Sequence, residues 1–518
     1  MSQKPNFIVI HSDQQRYDCT GIARRRKGIY TPYTDSIGYM GANFTSCYST
    51  CPVCMPQRLS LITGQLAETH GIYTNYGIPY MPLETTLPTE MRKGGYETAL
   101  VGRTMHTYPF NHPYGFEYYL PGDPSSENKE TTDPFFKYLR DNNPNDAGGY
   151  YGGGPVNNSR AAGPFHLADH FHQTKWATNR ALDFLENRDK SRPYMLFVGY
   201  YAPHSPHNPP ADYFNRYYAR EDLDGPIIAD YDVPPATSGH FMSPYVELSG
   251  EDYRATRAGY YGNIAFMDSQ IGRLIAAAGQ NTYIIFTSDH GDMLGDHYMY
   301  QKHRVYEGSS HIPLMISGPG IPDSQSIDEP VGWHDIMPTI LDLAGLPIPE
   351  SVDGKSMAPM LMGKEYGEWR DYLHINCVHL YHGAPKGRVK TEKHNLFDEK
   401  ASHALTDGKI KYVWHVTSGI EQLFDLEEDW KELYDLSGKP EWQDELEKWR
   451  KRMVEELKTS EEGFSDGEKL IPGKEPKEAS SAMEALMAQR RAEGFQQPYR
   501  PVRDPHMFMS FEDQLMKR

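Results

Sequence analysis

Four short apolar runs each break off into polar or ionisable residues, and this pattern restricts the fold more than any other feature of the chain. Phe7-Ile8-Val9-Ile10 leads into His11, Ser12, Asp13 and Gln14, and Thr98 to Val101 leads through Gly102 into Arg103 and His106. Tyr194 to Val198 leads towards Pro203 and His204, and Tyr283 to Thr287 leads into Ser288, Asp289 and His290. Continuous apolar runs mark strands buried on both faces, as in a parallel sheet covered by helices, and such a sheet delivers its functional side chains at its carboxyl edge. If these strands are neighbours in one sheet, the four polar sets meet on one rim.

Helical spacing separates the runs. Trp176, Leu182, Phe184 and Leu185 mark one helix, Ile264 to Ile275 a second that ends at Gly279, and Ile336 to Leu343 a third stopped by Gly345 and Pro347. The predicted fold class is therefore α/β: a large mixed, mainly parallel sheet sandwiched by helices, with a smaller C-terminal α+β unit. Tyr372 to Cys377, Ala404-Leu405 and Ile410 to Val416 read as strands of that unit, with Asp407-Gly408 as a hairpin turn. Trp442, Leu446, Trp449, Met453 and Leu457 form the apolar face of a helix packed on it. The expected division is a catalytic unit over 1–365, a small antiparallel sheet plus helix over 366–460, and a tail or oligomerisation arm over 461–518. The tail is charged and proline-punctuated, with apolar points at Met507, Phe508, Met509 and Phe511. The stretch Gly148 to Gly154 reads as a surface loop with its tyrosines towards the substrate.

The formal net charge of −18 argues against nucleic acid as a partner, because phosphate binding needs a basic stripe. An anionic substrate needs a locally positive pocket instead. No apolar run approaches the ~20 residues that span a bilayer, and Met1 to Asn6 lacks the apolar segment of a signal peptide. No membrane association is expected. The expected location is the cytoplasm, or the periplasm if a leader has been removed. The five cysteines, Cys19, Cys47, Cys51, Cys54 and Cys377, are too few and too clustered for a disulfide framework.

The most informative segment runs from Cys51 to Gly64. Pro56 suits a first helical position and Gly64 a stop, which puts Cys54 just before a helix N-terminus, where backbone N–H groups favour anions. Cys54-x-Pro56-x-Arg58, continuing Leu61-x-Thr63-Gly64, resembles the signature of the type I sulfatases of the alkaline phosphatase superfamily. Cys51 does not fit it, since Val53 and Met55 follow at the signature positions. The competing reading of Cys51-x-x-Cys54, a redox pair or half a zinc site, lacks a second ligand pair of matching spacing.

The resemblance, which extends from Asn6 to about Leu436, implies an alkaline phosphatase-like fold and a reaction. In that family the cysteine becomes formylglycine, whose hydrate is a geminal diol: one hydroxyl accepts the sulfuryl group and the other expels it by re-forming the carbonyl. A simple alcohol would be left as a stable ester. A formylglycine-generating maturation enzyme is then a required partner. Asp13, Gln14, Asp289 and His290 match the family's divalent-metal ligands, joined by residue 54. Mostly oxygen donors favour Ca²⁺, with Mn²⁺ or Mg²⁺ as alternatives.

By the same likeness Arg58 holds the hydrated aldehyde, Lys302 contacts the sulfate, and His204, helped by Lys302, is the candidate general acid at the leaving group. His106 is the candidate base. The chain departs from the family at two places. Gly102-Arg103-Thr104-Met105-His106 stands where Gly-Lys-x-His is common, and His311 stands where Arg is common. Arg103 and His311 are carried as substrate-binding candidates, His311 at a position that supports either the fold or the substrate rim. The leading reading is a sulfatase acting on a sulfate ester of a carbohydrate or an aryl alcohol. One alternative is a phosphonate monoester or phosphodiester hydrolase of the same superfamily, and another is an inactive protein that binds sulfated glycans.

Overall fold

The computed structural model of the chain describes residues 4–75, 83, 85–105, 112–124, 133–143, 149–235, 244–379 and 395–492. The central sheet is built from β1 (Asn6–Asp13), β2 (Gly41–Phe44), β4 (Glu97–Gly102), β5 (Tyr118–Pro121), β6 (Tyr194–Pro203), β7 (Thr282–Ser288), β8 (Leu314–Ser317) and β9 (Gln325–Ile327). A separate pair joins β3 (Cys47–Tyr48) to β10 (Val331–Gly332). The sheet order is β5-β4-β6-β1-β7-β8-β2-β9, and only β8 runs antiparallel to its neighbours. The sheet is thus mixed and mainly parallel.

β1 lies in the middle, pairing Phe7 with Met195 of β6 and with Tyr283 of β7. Its side chains alternate between two cores, as the period-2 geometry of a strand dictates. Phe7 and Val9 pack with Leu59, Met91 and Ile340 from the helices Cys54–Thr63, Leu87–Lys93 and Ile336–Leu343. Ile8 and Ile10 pack with Ile37, Ala177 and Ile271 from the helices Pro32–Tyr39, Gln173–Asn187 and Gly250–Ala277. Complete burial of each large apolar side chain contributes about 1.5–3 kcal/mol, so both faces favour one register.

The small sheet is antiparallel, in the order β11 (Leu373–Val378), β12 (Ala401–Thr406), β13 (Ile410–His415), β14 (Glu421–Asp425). One face packs on the helix Gln443–Glu456 through Leu446, Trp449 and Met453. The other face, with Ile375, Ala404, Val413 and Phe424, packs against Val305 and Tyr306 of the large unit. The small sheet therefore braces the loop that carries Lys302.

Three local expectations change. The helix at the signature begins at Cys54, so Pro56 is its third residue; its missing N–H is one that a first turn leaves unbonded anyway. Tyr150, expected on a surface loop, is buried against Phe135 and Phe165, while Gly148 lies outside the described residues. Residues 461–492 fold back on their own chain. Phe464 joins the core of the small sheet, Ala479 bridges to Ile72, and Met483 of the helix Ser481–Ala492 enters the main core. Met507, Phe508, Met509 and Phe511 lie outside the described residues. Among the described residues no helix is long and apolar enough to cross a membrane.

Candidate active site

The order β4-β6-β1-β7 brings the four polar sets to adjacent strand ends. Asp13 closes β1, Arg103 follows β4, His204 follows β6, and Asp289-His290 follows β7. Gly102 makes the exit of β4 feasible. It has φ 93°, and a Cβ there would lie 2.2 Å from the Gly199 carbonyl oxygen. Cys54 reaches the same point from the first turn of its helix.

Ligand-type atoms of Asp13, Cys54, Asp289 and His290 lie within 4.8 Å of one another, and all four residues are buried. The His290 ring is oriented by Nδ1, which donates to the Gly291 carbonyl at 2.9 Å, so Nε2 presents its lone pair to the Cys54 sulfur 3.1 Å away. Asp13 Oδ1 is a buried oxygen with no hydrogen-bond partner, 3.8 Å from His290 Nε2. An unsatisfied carboxylate oxygen beside a second carboxylate and an imidazole lone pair fits a divalent cation. Among the described residues no other His, Cys, Asp or Glu group meets this condition.

Arginines surround the carboxylates. Arg58, wholly buried, donates from Nη2 to Asp13 Oδ2 at 2.8 Å and to Asp289 Oδ2 at 2.7 Å, and from Nη1 to the Thr104 carbonyl at 2.8 Å. Arg103 donates from Nε to the same Asp13 oxygen at 2.8 Å. Burial works against ionising Asp13, but Arg103 and Arg58 outweigh it and hold the carboxyl well below the usual range. Burial also pushes the Cys54 thiol up, yet Lys302 and His290 bring it below its ordinary value.

Lys302 joins the two halves of the site. Its Nζ donates to Gln14 Oε1 at 2.9 Å and to His204 Nε2 at 3.0 Å. His204 Nδ1 donates to the Ser205 carbonyl at 2.8 Å, so Nε2 is an acceptor and the ring is neutral. Burial first, then the Lys302 charge, holds its pKa well below the usual histidine value. Gln14, Gln301 and His303 adopt φ of 76°, 66° and 67°, left-handed geometry that costs a non-glycine residue about 1–3 kcal/mol. Hydrogen bonds hold all three: Gln14 N–H donates to Asp289 at 3.0 Å, Gln301 N–H to Asp292 at 2.7 Å and His303 N–H to the Pro52 carbonyl at 3.2 Å.

Of the residues singled out from the sequence, the structure brings together Asp13, Gln14, Cys54, Arg58, Arg103, His204, Asp289, His290 and Lys302. His106 lies outside the described residues. His311 does not join the group: it is stacked between Tyr17 and Tyr48 at 4.2 and 4.8 Å, with its nitrogens bonded to Glu307 and to the Thr45 carbonyl. Both ring faces and both nitrogens are thus taken by protein. Two carboxylates were missed. Asp292 accepts from the Gln14 amide, and its place two residues after His290 was the available signal. Asp123 pairs with Arg103 from the end of β5, a strand that no sequence pattern marked.

A sequence profile of the sulfatase family matches residues 5–346. The chain belongs to the sulfatase family. It is a sulfuric ester hydrolase of the alkaline phosphatase superfamily. A second profile, the C-terminal region of N-sulphoglucosamine sulphohydrolase, matches residues 295–460. This sulfatase is 33% identical over 494 residues to an arylsulfatase of Clostridium perfringens, covering 91% of this chain and 98% of that one. It is 30% identical to a choline-sulfatase of Rhizobium meliloti, covering 84% of this chain and 83% of that one. Among solved structures it resembles the phosphonate monoester hydrolase of Agrobacterium radiobacter, with a TM-score of 0.69 and 26% identity over 87% of this chain and 95% of that one.

Proposed function

We propose that this sulfatase hydrolyses a sulfate ester of a carbohydrate, with an aryl sulfate as the second choice, using residue 54 as formylglycine beside one divalent cation. The observation that carries the reading is the buried convergence of residue 54 with Asp13, Asp289 and His290 beneath the Lys302–His204 pair. Asp13, Gln14, Asp289 and His290 would hold the cation, and a donor set rich in oxygen favours Ca²⁺. When bound, the cation would supply positive charge for the sulfate oxygens, and residue 54, as a hydrated aldehyde, would supply the attacking oxygen. The likeness of residues 295–460 to a sulfohydrolase of an amino sugar supports the carbohydrate choice.

The chain's own residues do the remaining work. Arg58 fixes both ligand carboxylates, and with Arg103 it keeps Asp13 ionised; Arg103 and Lys302 add the positive charge that an anionic ester needs in a molecule of net charge −18. Lys302 Nζ donates to His204 Nε2, so a proton can pass along that bond towards the departing alcohol oxygen. His106 is proposed as the base that reopens residue 54.

The likeness to a phosphonate monoester hydrolase favours a second reading, in which the same residues act on phosphorus. The test is a mass spectrum of the peptide containing residue 54, from protein made in its own host, joined to paired rates on sulfated sugars, aryl sulfates and phosphonate esters. Formylglycine together with a preference for sulfate is the expected result. A higher kcat/KM on phosphonates would move the assignment to the second reading, and an unmodified, inactive Cys54 would end both.

A further inference from the structure

The two oxygens of Asp13 are not equivalent. Oδ2 accepts from Arg58 Nη2, Arg103 Nε and Arg103 Nη2, each at 2.8 Å, whereas Oδ1 accepts from nothing and faces His290. The arginines thereby decide which oxygen is left for a cation. Arg58 is fixed by its own helix, by Asp289 and by the Thr104 carbonyl. Arg103 leaves a strand end, and its far nitrogen, Nη1, is held by Asp123, while its plane lies over the Tyr201 ring at 4.8 Å. Asp123 is anchored in turn: its N–H donates to Asp133 at 3.0 Å, and Asp133 caps the helix Pro134–Asn142 through the Phe135 N–H at 2.8 Å. Arg103 and Asp123 are both nearly inaccessible to solvent.

We propose that Asp123 is a positioning residue for the cation site: by holding the far end of Arg103 it keeps two N–H donors on Asp13 Oδ2 and leaves Oδ1 for the metal. The proposal rests on the metal reading given above. Geometrically, an arginine gripped by carboxylates at both ends cannot rotate its donors onto Oδ1. Electrostatically, Asp123, Arg103, Asp13, Arg58 and Asp289 alternate in sign, and removing the first negative charge leaves Arg103 less compensated beside a cation. Partners that orient a metal ligand typically contribute 10–100-fold to metal affinity.

The experiment is chelator competition against Ca²⁺, with metal content read directly on the purified full-length protein and no substrate present. Asp123→Asn is expected to weaken Ca²⁺ binding by about 10- to 100-fold, and Asp123→Glu to recover part of the loss. In an Arg103→Met background Asp123→Asn should have no further effect, because it acts only through Arg103. If Asp123→Asn does not fold, Arg103→Met is read instead: it takes both N–H donors off Asp13 Oδ2, and the same loss is expected. Wild type that binds Ca²⁺ and variants that bind it equally well overturn the role of Asp123 alone. Wild type that binds no divalent cation overturns the metal reading, and this inference with it.

Discussion

Arg58 sits between two carboxylates in a place with no access to water, and its chemistry is stabilising as well as functional. Arg58→Met would leave Asp13 and Asp289 short of a positive partner, at a cost of about 3–5 kcal/mol in the metal-free protein. Urea unfolding measures this, and added divalent cation should restore part of the loss by replacing the missing charge. His204 gives a different signature. His204→Asn should lower kcat/KM about 10²–10⁴-fold on a sugar sulfate, whose alcohol leaves poorly, and much less on nitrophenyl sulfate. Equal losses on both substrates would show that His204 does not deliver the proton. Much of this site was legible at the residue scale, because Cys54, Pro56 and Arg58 stand at fixed spacing and Asp13 and Asp289 end apolar runs. Asp123 was not, since a lone aspartate after a short strand looks like any turn residue until its partner twenty positions back is placed beside it. For His311 the sequence left two readings, support of the fold or of the substrate rim, and aromatic stacking on both faces favours the first.

Among elements, the long buried strands announced themselves, whereas the edge strand β5 and the short buried strands β2 and β8 did not. β1, β4, β6 and β7 are almost wholly buried, so their sequences are unbroken apolar runs, whereas β5 at the sheet edge is exposed or half-buried along its length. The helix Gly250–Ala277 was visible only from Ile264 onward. Its first half packs through tyrosines and glycines; at Gly259 and Gly262 the segment around His207 and Pro209 approaches so closely that a Cβ would meet it at 2.6 and 2.7 Å. The same helix carries Asp268, which accepts the Thr34 N–H at 2.7 Å in the first turn of Pro32–Tyr39. Burial pushes this carboxyl up to about 6, against the bonds from Thr34 and Tyr33. A folded pKa above the unfolded value means stability that is complete below about pH 4 and is lost as pH rises through 6. Asp268→Asn keeps an acceptor for Thr34 and removes the titration. The stability of wild type relative to this variant should therefore fall by on the order of 2–3 kcal/mol between pH 4 and 7. Denaturant titrations at the two pH values check this, and a constant difference would contradict it.

At the scale of the whole molecule, the small sheet and residues 461–492 act as a clamp. Phe464 fills a pocket against His403 and Trp414, and the segment then crosses back to Ile72 and the main core. Phe464→Ala should cost about 3–5 kcal/mol in a thermal or urea melt, a core-sized loss from a segment that composition alone marks as a tail. We propose the division into 1–365, 366–460 and 461–518 as units of sequence. The buried contact of Lys411 on β13 with Glu307 shows why the first two are coupled mechanically, and Phe464 and Met483 tie the third to both.

The central strand has a bearing on how the chain reaches this state. β1 is made well before both of its partners, strands that begin at residues 194 and 282. Until then its two hydrogen-bonding edges have nothing in the sheet to satisfy them, and closing such distant pairs is slow. A nascent polypeptide stalled before residue 282 would hold an apolar ribbon bare on one side, prone to recruit a stray strand from another molecule; truncated expression products should accordingly be recovered as aggregates rather than as a half-built enzyme.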